Sequence, residues 1–203
     1  MDTTPATTDK RLLRGRRTRQ TVLRRAVDVA SLEGLEGLSF GRLAADTGMS
    51  KAGVQTLFKT KEALQLAAVD HARSMFIDAV IRPARSAPPG AERLRALIEH
   101  WIVYAETPLF AGGCFRVANI ADYDSRPGAV RDALLHDQRE WTTVLAEQLR
   151  EAVALGQIAD LDVELAVFQL DAVLCAANTA LRLNNQGAVD AVHRTLEMLI
   201  KPA

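Results

Sequence analysis

Cysteine is almost missing from this chain: Cys114 and Cys175 are the only two among 203 residues. They lie far apart and form no C-x-x-C pair, which excludes a disulfide-stapled scaffold and a zinc ribbon; a reduced, cytoplasmic thiol pair is expected. No apolar run approaches the ~18 residues of a membrane helix. The first twenty residues are polar and basic, without the apolar centre of a secretory signal. The four histidines, at 71, 100, 136 and 193, share no helix at ligand spacing and none stands in an H-E-x-x-H motif. There is no glycine loop to cradle a phosphate and no serine in a nucleophile elbow. No enzyme, cofactor or metal is expected from these residues. Net charge is also missing, with 25 basic against 25 acidic side chains.

That zero hides an uneven distribution. Residues 1–61 hold 12 Lys/Arg against 6 Asp/Glu, whereas residues 62–203 hold 13 against 19. A basic head on an acidic body points a polyanion at the head and keeps it off the body. The head contains S-F-G-R-L-A-A-D-T-G-M-S-K-A-G-V-Q-T-L-F-K-T-K-E-A-L, residues 39–64. Ser39 and Ser50 are each placed to cap a short helix, and Gly48 stands at the bend, where glycine takes a left-handed conformation without steric cost. Leu43 and Ala44 on the first helix can meet Val54 and Leu57 on the second. Neither helix reaches the ~12 residues an isolated helix needs, so each depends on packing against the other. The pattern is a helix-turn-helix, whose second helix enters the DNA major groove.

Residues 16–66 resemble the N-terminal domain of the TetR family of bacterial transcriptional regulators. R-T-R-Q-T-V-L-R-R-A matches its first helix, L-S-F-G-R-L-A-A-D-T-G-M-S its second helix and turn, and K-A-G-V-Q-T-L-F-K-T-K-E-A-L its third helix and the start of the fourth. The run Phe58-x-x-Lys61-Glu62-x-Leu64 is the most specific part. The chain departs from the family at Gln55, where many members carry tyrosine, so the phosphate contact of that aromatic does not carry over. The resemblance implies a homodimeric repressor that binds a palindromic double-stranded operator and leaves it when a small molecule enters the body.

On the recognition helix, Lys51, Gly53, Gln55 and Thr56 should face outward, with Ser50 at its start. Gln55 has the paired amide geometry that reads an adenine edge. Gly53 costs ~1 kcal/mol against alanine in a helix, and close approach to DNA would explain it. Arg42, Lys51 and Lys59 are candidate phosphate contacts, which position a protein without reading sequence. Arg16 and Arg17, in the basic run that begins at Lys10, are candidates for phosphate or minor-groove contact, or for a merely solvated arm.

The remaining pattern is helical throughout, giving an all-α fold of about nine helices. It divides into a flexible basic arm (1–14), a helix-turn-helix domain (15–62) and a helical ligand-binding and dimerisation domain (63–203). Helix one is predicted over 17–32 and helix four from Thr60 towards Ile81, and helix four is the expected transmitter between head and body. His71 lies on its apolar stripe, as a core histidine or as a sensor of ligand. Candidate pocket residues are Trp101, Tyr104, Phe110, Phe115, Asn119, Trp141 and Phe168, with His100 or Gln138 as polar fixers. Large aromatics at helical spacing also read as plain core. With few charges expected inside, the effector should be apolar or aromatic.

The helix over 163–183 is apolar on two faces and needs cover on both. With the helix over 188–200 it suits a four-helix interface between two copies, through Val167, Leu170, Leu174, Leu181, Val192, Leu196 and Leu199. A central helix buried inside one chain fits the same pattern. The alternative function is a ligand-binding or sequestering helical protein that no longer reads DNA.

Overall fold

The structure, a computed structural model, describes residues 5–185 and 187–202, with side chains from Leu13 onward. The first four residues of the expected arm, and the side chains of Lys10 and Arg11, lie outside the described residues.

All regular structure among the described residues is helical. The order is α1 (Pro5–Glu33), a 3-10 turn (Leu35–Gly37), α2 (Phe40–Thr47), α3 (Lys51–Phe58), α4 (Lys61–Phe76), a π turn (Ile77–Ile81), α5 (Arg82–Ala84), α6 (Ala91–Glu106), α7 (Phe115–Tyr123), α8 (Ala129–Ala154), α9 (Val163–Arg182) and α10 (Ala188–Leu199). Backbone angles stay right-handed helical across both junctions of the π turn. Thus α4, the π turn and α5 form one rod, and nine rods make up the described fold. α1 reaches back to Pro5, so residues 5–14 are helical where a flexible arm is expected. Proline fits the first helical position because its missing N–H has no partner there anyway.

Four side chains cap helices, Ser39 and Ser50 as expected and Thr60 and Asp162 besides. Ser39 Oγ accepts from the Arg42 N–H, Ser50 Oγ from Gly53, Thr60 Oγ1 from Ala63 and Asp162 Oδ1 from Leu165. Gly48 closes α2 in the left-handed region at φ 69°. In the head, α1 turns Val22, Ala26, Val29 and Ala30 inward to a core shared with Leu43, Val54, Phe58, Leu64 and Ala68. That core continues without a break into the body, where Leu97, Trp101, Leu134, Leu145, Leu170 and Leu174 are buried. Gln148, a polar break in the α8 stripe, accepts from the Gly90 N–H at the start of α6.

α9 places its two apolar faces in different surroundings. Leu170 and Leu174 are 0% exposed, and Val192 and Leu196 on α10 are 0% and 2% exposed. With buried Val167 and half-buried Leu181 and Leu199, they form the chain's own core. The residues expected at the dimer interface therefore pack inside the protomer, because periodicity marks two stripes without telling which one faces α8. The outward stripe carries Leu165, Phe168, Ala172, Ala176 and Leu183, with Phe168 72% and Leu183 76% exposed. α9 is also long and apolar enough, by length and composition, to cross a membrane. Its inner face lies instead against α8 and α10.

Candidate nucleic-acid interface and body cavity

α2 and α3 pack against each other across the Gly48 turn, and Val54 and Phe58 anchor α3 to the core. This leaves Lys51, Gln55, Thr56 and Lys59 exposed on one side, with Ser50 at the head of the helix. Arg16 and Arg17 are exposed on α1. Lys59 takes a left-handed φ of 64° as it ends α3, which turns the chain sharply into the Thr60 cap of α4.

Two head residues have different surroundings from those expected. Arg42 gives both terminal nitrogens to Glu33, with Asp46 also within ion-pair reach, so its guanidinium is held along the head instead of standing free for a phosphate. The Arg42 hydrogen bond holds the Glu33 carboxyl below its ordinary range. At Gly53, a Cβ would meet Ser50 Oγ at 3.1 Å. The glycine thus leaves room for its own helix cap, whatever approaches from outside.

In the body a cavity opens between the end of α4, the π turn, α6, α7 and α8. It has two compartments that share Arg73, Phe76 and Asp137. The inner one is lined further by Tyr104, Phe110, Cys114, Phe115 and Arg116, and the outer one by Ile77, Ile81, Arg85, Glu140, Trp141 and Val144. Phe76 stands edge-on to Tyr104 at 5.2 Å and to Trp141 at 5.3 Å. A π turn widens a helix by one residue and is common at functional sites; here it brings Ile77 and Ile81 to the cavity wall.

Of the expected pocket residues, Tyr104, Phe110, Phe115 and Trp141 line this cavity. The others do not. Trp101 is plain core, and half-buried His100 stands on α6 away from the wall. Phe168 lies on the outward face of α9. Gln138 donates to Asp171 beside the cavity. Asn119 is fully buried and fully used: its Oδ1 accepts from the Leu35 N–H, and its Nδ2 donates to the Ala30 and Phe115 carbonyls. His71 faces a separate cleft with Arg17, Arg24, Asp28 and Asp46 at the head. Burial first, and then Arg24, hold its pKa below the usual range.

The charges inside are the feature that periodicity misses. Arg116 is 5% exposed and bonds Asp171 through Nη2 at 3.2 Å. Arg73 pairs with Glu140. Burial pushes the Asp137 carboxyl above its ordinary range, and the fields of Arg116 and Arg73 offset this only in part. Burial also raises Tyr104 well above its usual value and Cys175 to about 11, so both stay neutral. One signal was present in the sequence: a charged residue directly behind the buried aromatic of a short apolar helix, at Phe115-Arg116.

α7 connects this cavity to the head. Phe115 and Arg116 line the cavity at one end; further along, Asn119 reaches the end of α1 and Tyr123 the 3-10 turn after it. Tyr123 donates to Glu36, which also holds Lys61, and Gln65 donates to the Leu35 carbonyl and to Tyr123. Burial first, and then the Glu36 hydrogen bond, push the Tyr123 phenol up to about 12. Alongside, the backbones meet so closely that a Cβ on Gly112 would lie 1.9 Å from the Ser31 carbonyl oxygen.

The tetracyclin repressor-like C-terminal domain model matches residues 90–196, more than half of the 203 residues. The chain belongs to the TetR family. This membership rests on the body, residues 90–196, while the family resemblance in the sequence lies in the head, residues 16–66. Among solved structures, a TetR-family regulator from Agrobacterium tumefaciens superposes with a TM-score of 0.80 at 17% identity, covering 92% of this chain and 99% of that one. A TetR regulator from Chloroflexus aurantiacus gives 0.77 at 22% identity, covering 92% and 94%. AibR, solved with isovaleryl coenzyme A and operator DNA, gives 0.74 at 20% identity, covering 91% and 99%. At these identities the likeness is one of fold. No curated protein matches the sequence. The TetR-family architecture of this chain is all-helical, with the helix-turn-helix at one end and the cavity in the body.

Proposed function

We propose that this TetR-family chain is a one-component transcriptional repressor of the cytoplasm and not an enzyme. It binds a two-fold symmetric DNA operator as a homodimer and releases it when a small molecule enters the body cavity. The observation that carries this reading is the continuity of one rod. α4 starts at the recognition helix and passes directly into the cavity wall at Ala72, Arg73 and Phe76. A ligand bound there touches the element that positions α3. The domain division at about residue 62 therefore marks a change of role within a continuous core.

The DNA-facing set is Arg16, Arg17, Ser50, Lys51, Gly53, Gln55, Thr56 and Lys59, with Gln55 as the base reader and the lysines on phosphates. Arg42 acts at one remove, by bracing α2 against Glu33. The second copy docks on the outward stripe of α9, where Leu165, Phe168 and Leu183 are exposed around Ala172 and Ala176. Small residues between large ones let two such helices approach closely, and Ala191 and Met198 extend the surface onto α10. Two chains joined there hold their recognition helices at a fixed separation, as half-sites one turn of DNA or more apart require.

The ligand acts only through a difference in affinity between the released and DNA-bound forms. Both α4 and α7 span the distance, so the signal has two parallel routes. Selection of bound fragments from a random DNA pool tests the reading. A palindrome is the expected product, and recovery of unrelated sequences with no symmetric element would favour a sequestering protein that has lost sequence-specific binding.

A further inference from the structure

The two compartments of the body cavity differ sharply in size and in wall. The outer one, about 200 Å³, is faced by Phe76, Ile77, Ile81, Trp141 and Val144, with Arg73, Arg85, Asp137 and Glu140 also on its wall. The inner one, beside Arg116, is only about 10 Å³. A space of roughly 10–15 Å³ by this measure takes a single oxygen-sized group.

Two polar groups with unmet needs face that inner space. Arg116 is almost wholly buried and gives Nη2 to Asp171, but its Nε–H finds no acceptor among the described residues. Asp137, half-buried on α8, lines the same space and makes no side-chain hydrogen bond or ion pair among the described residues. The buried donor left unpaired carries a desolvation cost that a ligand can relieve, and the free carboxylate beside it can accept the ligand's own proton.

Size and charge together restrict the group that can do so. A ligand anion would lie against Asp137, while Arg116 and Arg73 are already paired with Asp171 and Glu140. A ligand cation would lie against Arg116 and Arg73. An amide or carboxyl head has several heavy atoms, too many for the inner compartment. A hydroxyl is one oxygen, and it is donor and acceptor at once.

We propose that the effector is a neutral alcohol or phenol, its hydroxyl accepting from Arg116 Nε and donating to Asp137, with its apolar body in the outer compartment. This inference rests on the reading of the cavity as the effector site. It refines the expectation of few charges inside: the body of the ligand is apolar, but charged groups choose its head.

Calorimetric titration of the full-length protein without DNA tests it, with four probes on one aromatic frame: 2-phenylethanol, phenylacetate, 2-phenylethylammonium and ethylbenzene. The alcohol is expected to bind at least about tenfold more tightly than each of the others, the scale of a hydrogen bond to a charged partner. Asp137→Leu removes an unpaired, half-buried carboxylate, so it should fold at least as well as the parent, and it should erase the preference for alcohol over ethylbenzene. Equal or tighter binding of phenylacetate or 2-phenylethylammonium overturns the proposal. So does an unchanged preference in Asp137→Leu, and so does the lack of any alcohol binding at about 10 mM. Since DNA is absent from the titration, failure of the head-group assignment is distinct from failure of the regulator reading, which the fragment selection decides separately.

Discussion

Gly48 and Asn119 hold the two bends on which the DNA-facing surface depends, and each does so by a means no other residue type reproduces cheaply. At φ 69°, Gly48 occupies a region where a Cβ crowds the following carbonyl. Gly48→Ala should cost about 1–2 kcal/mol, read from a urea midpoint that falls with an unchanged slope. Asn119 satisfies three backbone groups from a fully buried position. Asn119→Ala should therefore cost more, about 3 kcal/mol or above, because orphaned buried groups lose their partners outright. Asp137 works in the opposite direction. Its raised folded pKa means that the unfolded chain ionises first as pH climbs, so the carboxylate destabilises the fold at neutral pH but not in acid. Asp137→Asn should therefore raise the melting temperature at pH 7, and the gain should vanish near pH 3, below the ordinary carboxyl range of about 3.9.

Among the helices, α3 and α9 each present one face to the core and another outward, and the outward faces carry the proposed functions. Exposed Gln55 and Lys59 on or beside α3 should separate cleanly by experiment. Gln55→Ala should relax base preference at one position in each half-site, at roughly 1–3 kcal/mol of discrimination. Lys59→Ala should weaken all sequences alike and lower the salt slope by about one. Both effects are read by repeating the selection and by binding curves across salt. On α9, the exposed Phe168 gives the most direct test of the dimer surface. Phe168→Glu should leave the melting temperature of the single chain almost unaltered while converting the dimer to a 22.1 kDa species in sedimentation. The same substitution at Leu170, which is fully buried, should unfold the chain. The contrast between adjacent stripes separates a lost interface from a lost fold.

At the scale of the whole molecule, the cavity, α7 and the end of α1 form one connected block, joined by Asn119, Tyr123, Gln65 and Glu36. Loosening one link in that block should leave ligand affinity intact while reducing the release of DNA. Tyr123→Phe removes the phenol bond to Glu36 and should reduce coupling by about fivefold, near 1 kcal/mol, measured as the change in operator affinity at saturating ligand. The sequence was a good guide to the pieces of this block but not to their assembly. The Ser39 and Ser50 caps, the Gly48 turn and the extents of α9 and α10 follow from short-range rules about hydrogen bonds and backbone angles. The roles of Asn119 and Gln138 do not, because an amide at a helical position looks the same whether it faces a ligand or a distant backbone.

The head-to-body charge split, the helix-turn-helix and the all-helical class were fixed by residue order, since capping, periodicity and composition act over a few neighbours along the chain. Which apolar stripe of α9 lies inside was decided only by packing, because both satisfy the same period and only α8 and α10 distinguish them. The same holds for Arg116 and Asp137. Polar residues at intervals along a chain say nothing of their company, and only folding brings a guanidinium from α7 and a carboxylate from α8 to one small cavity.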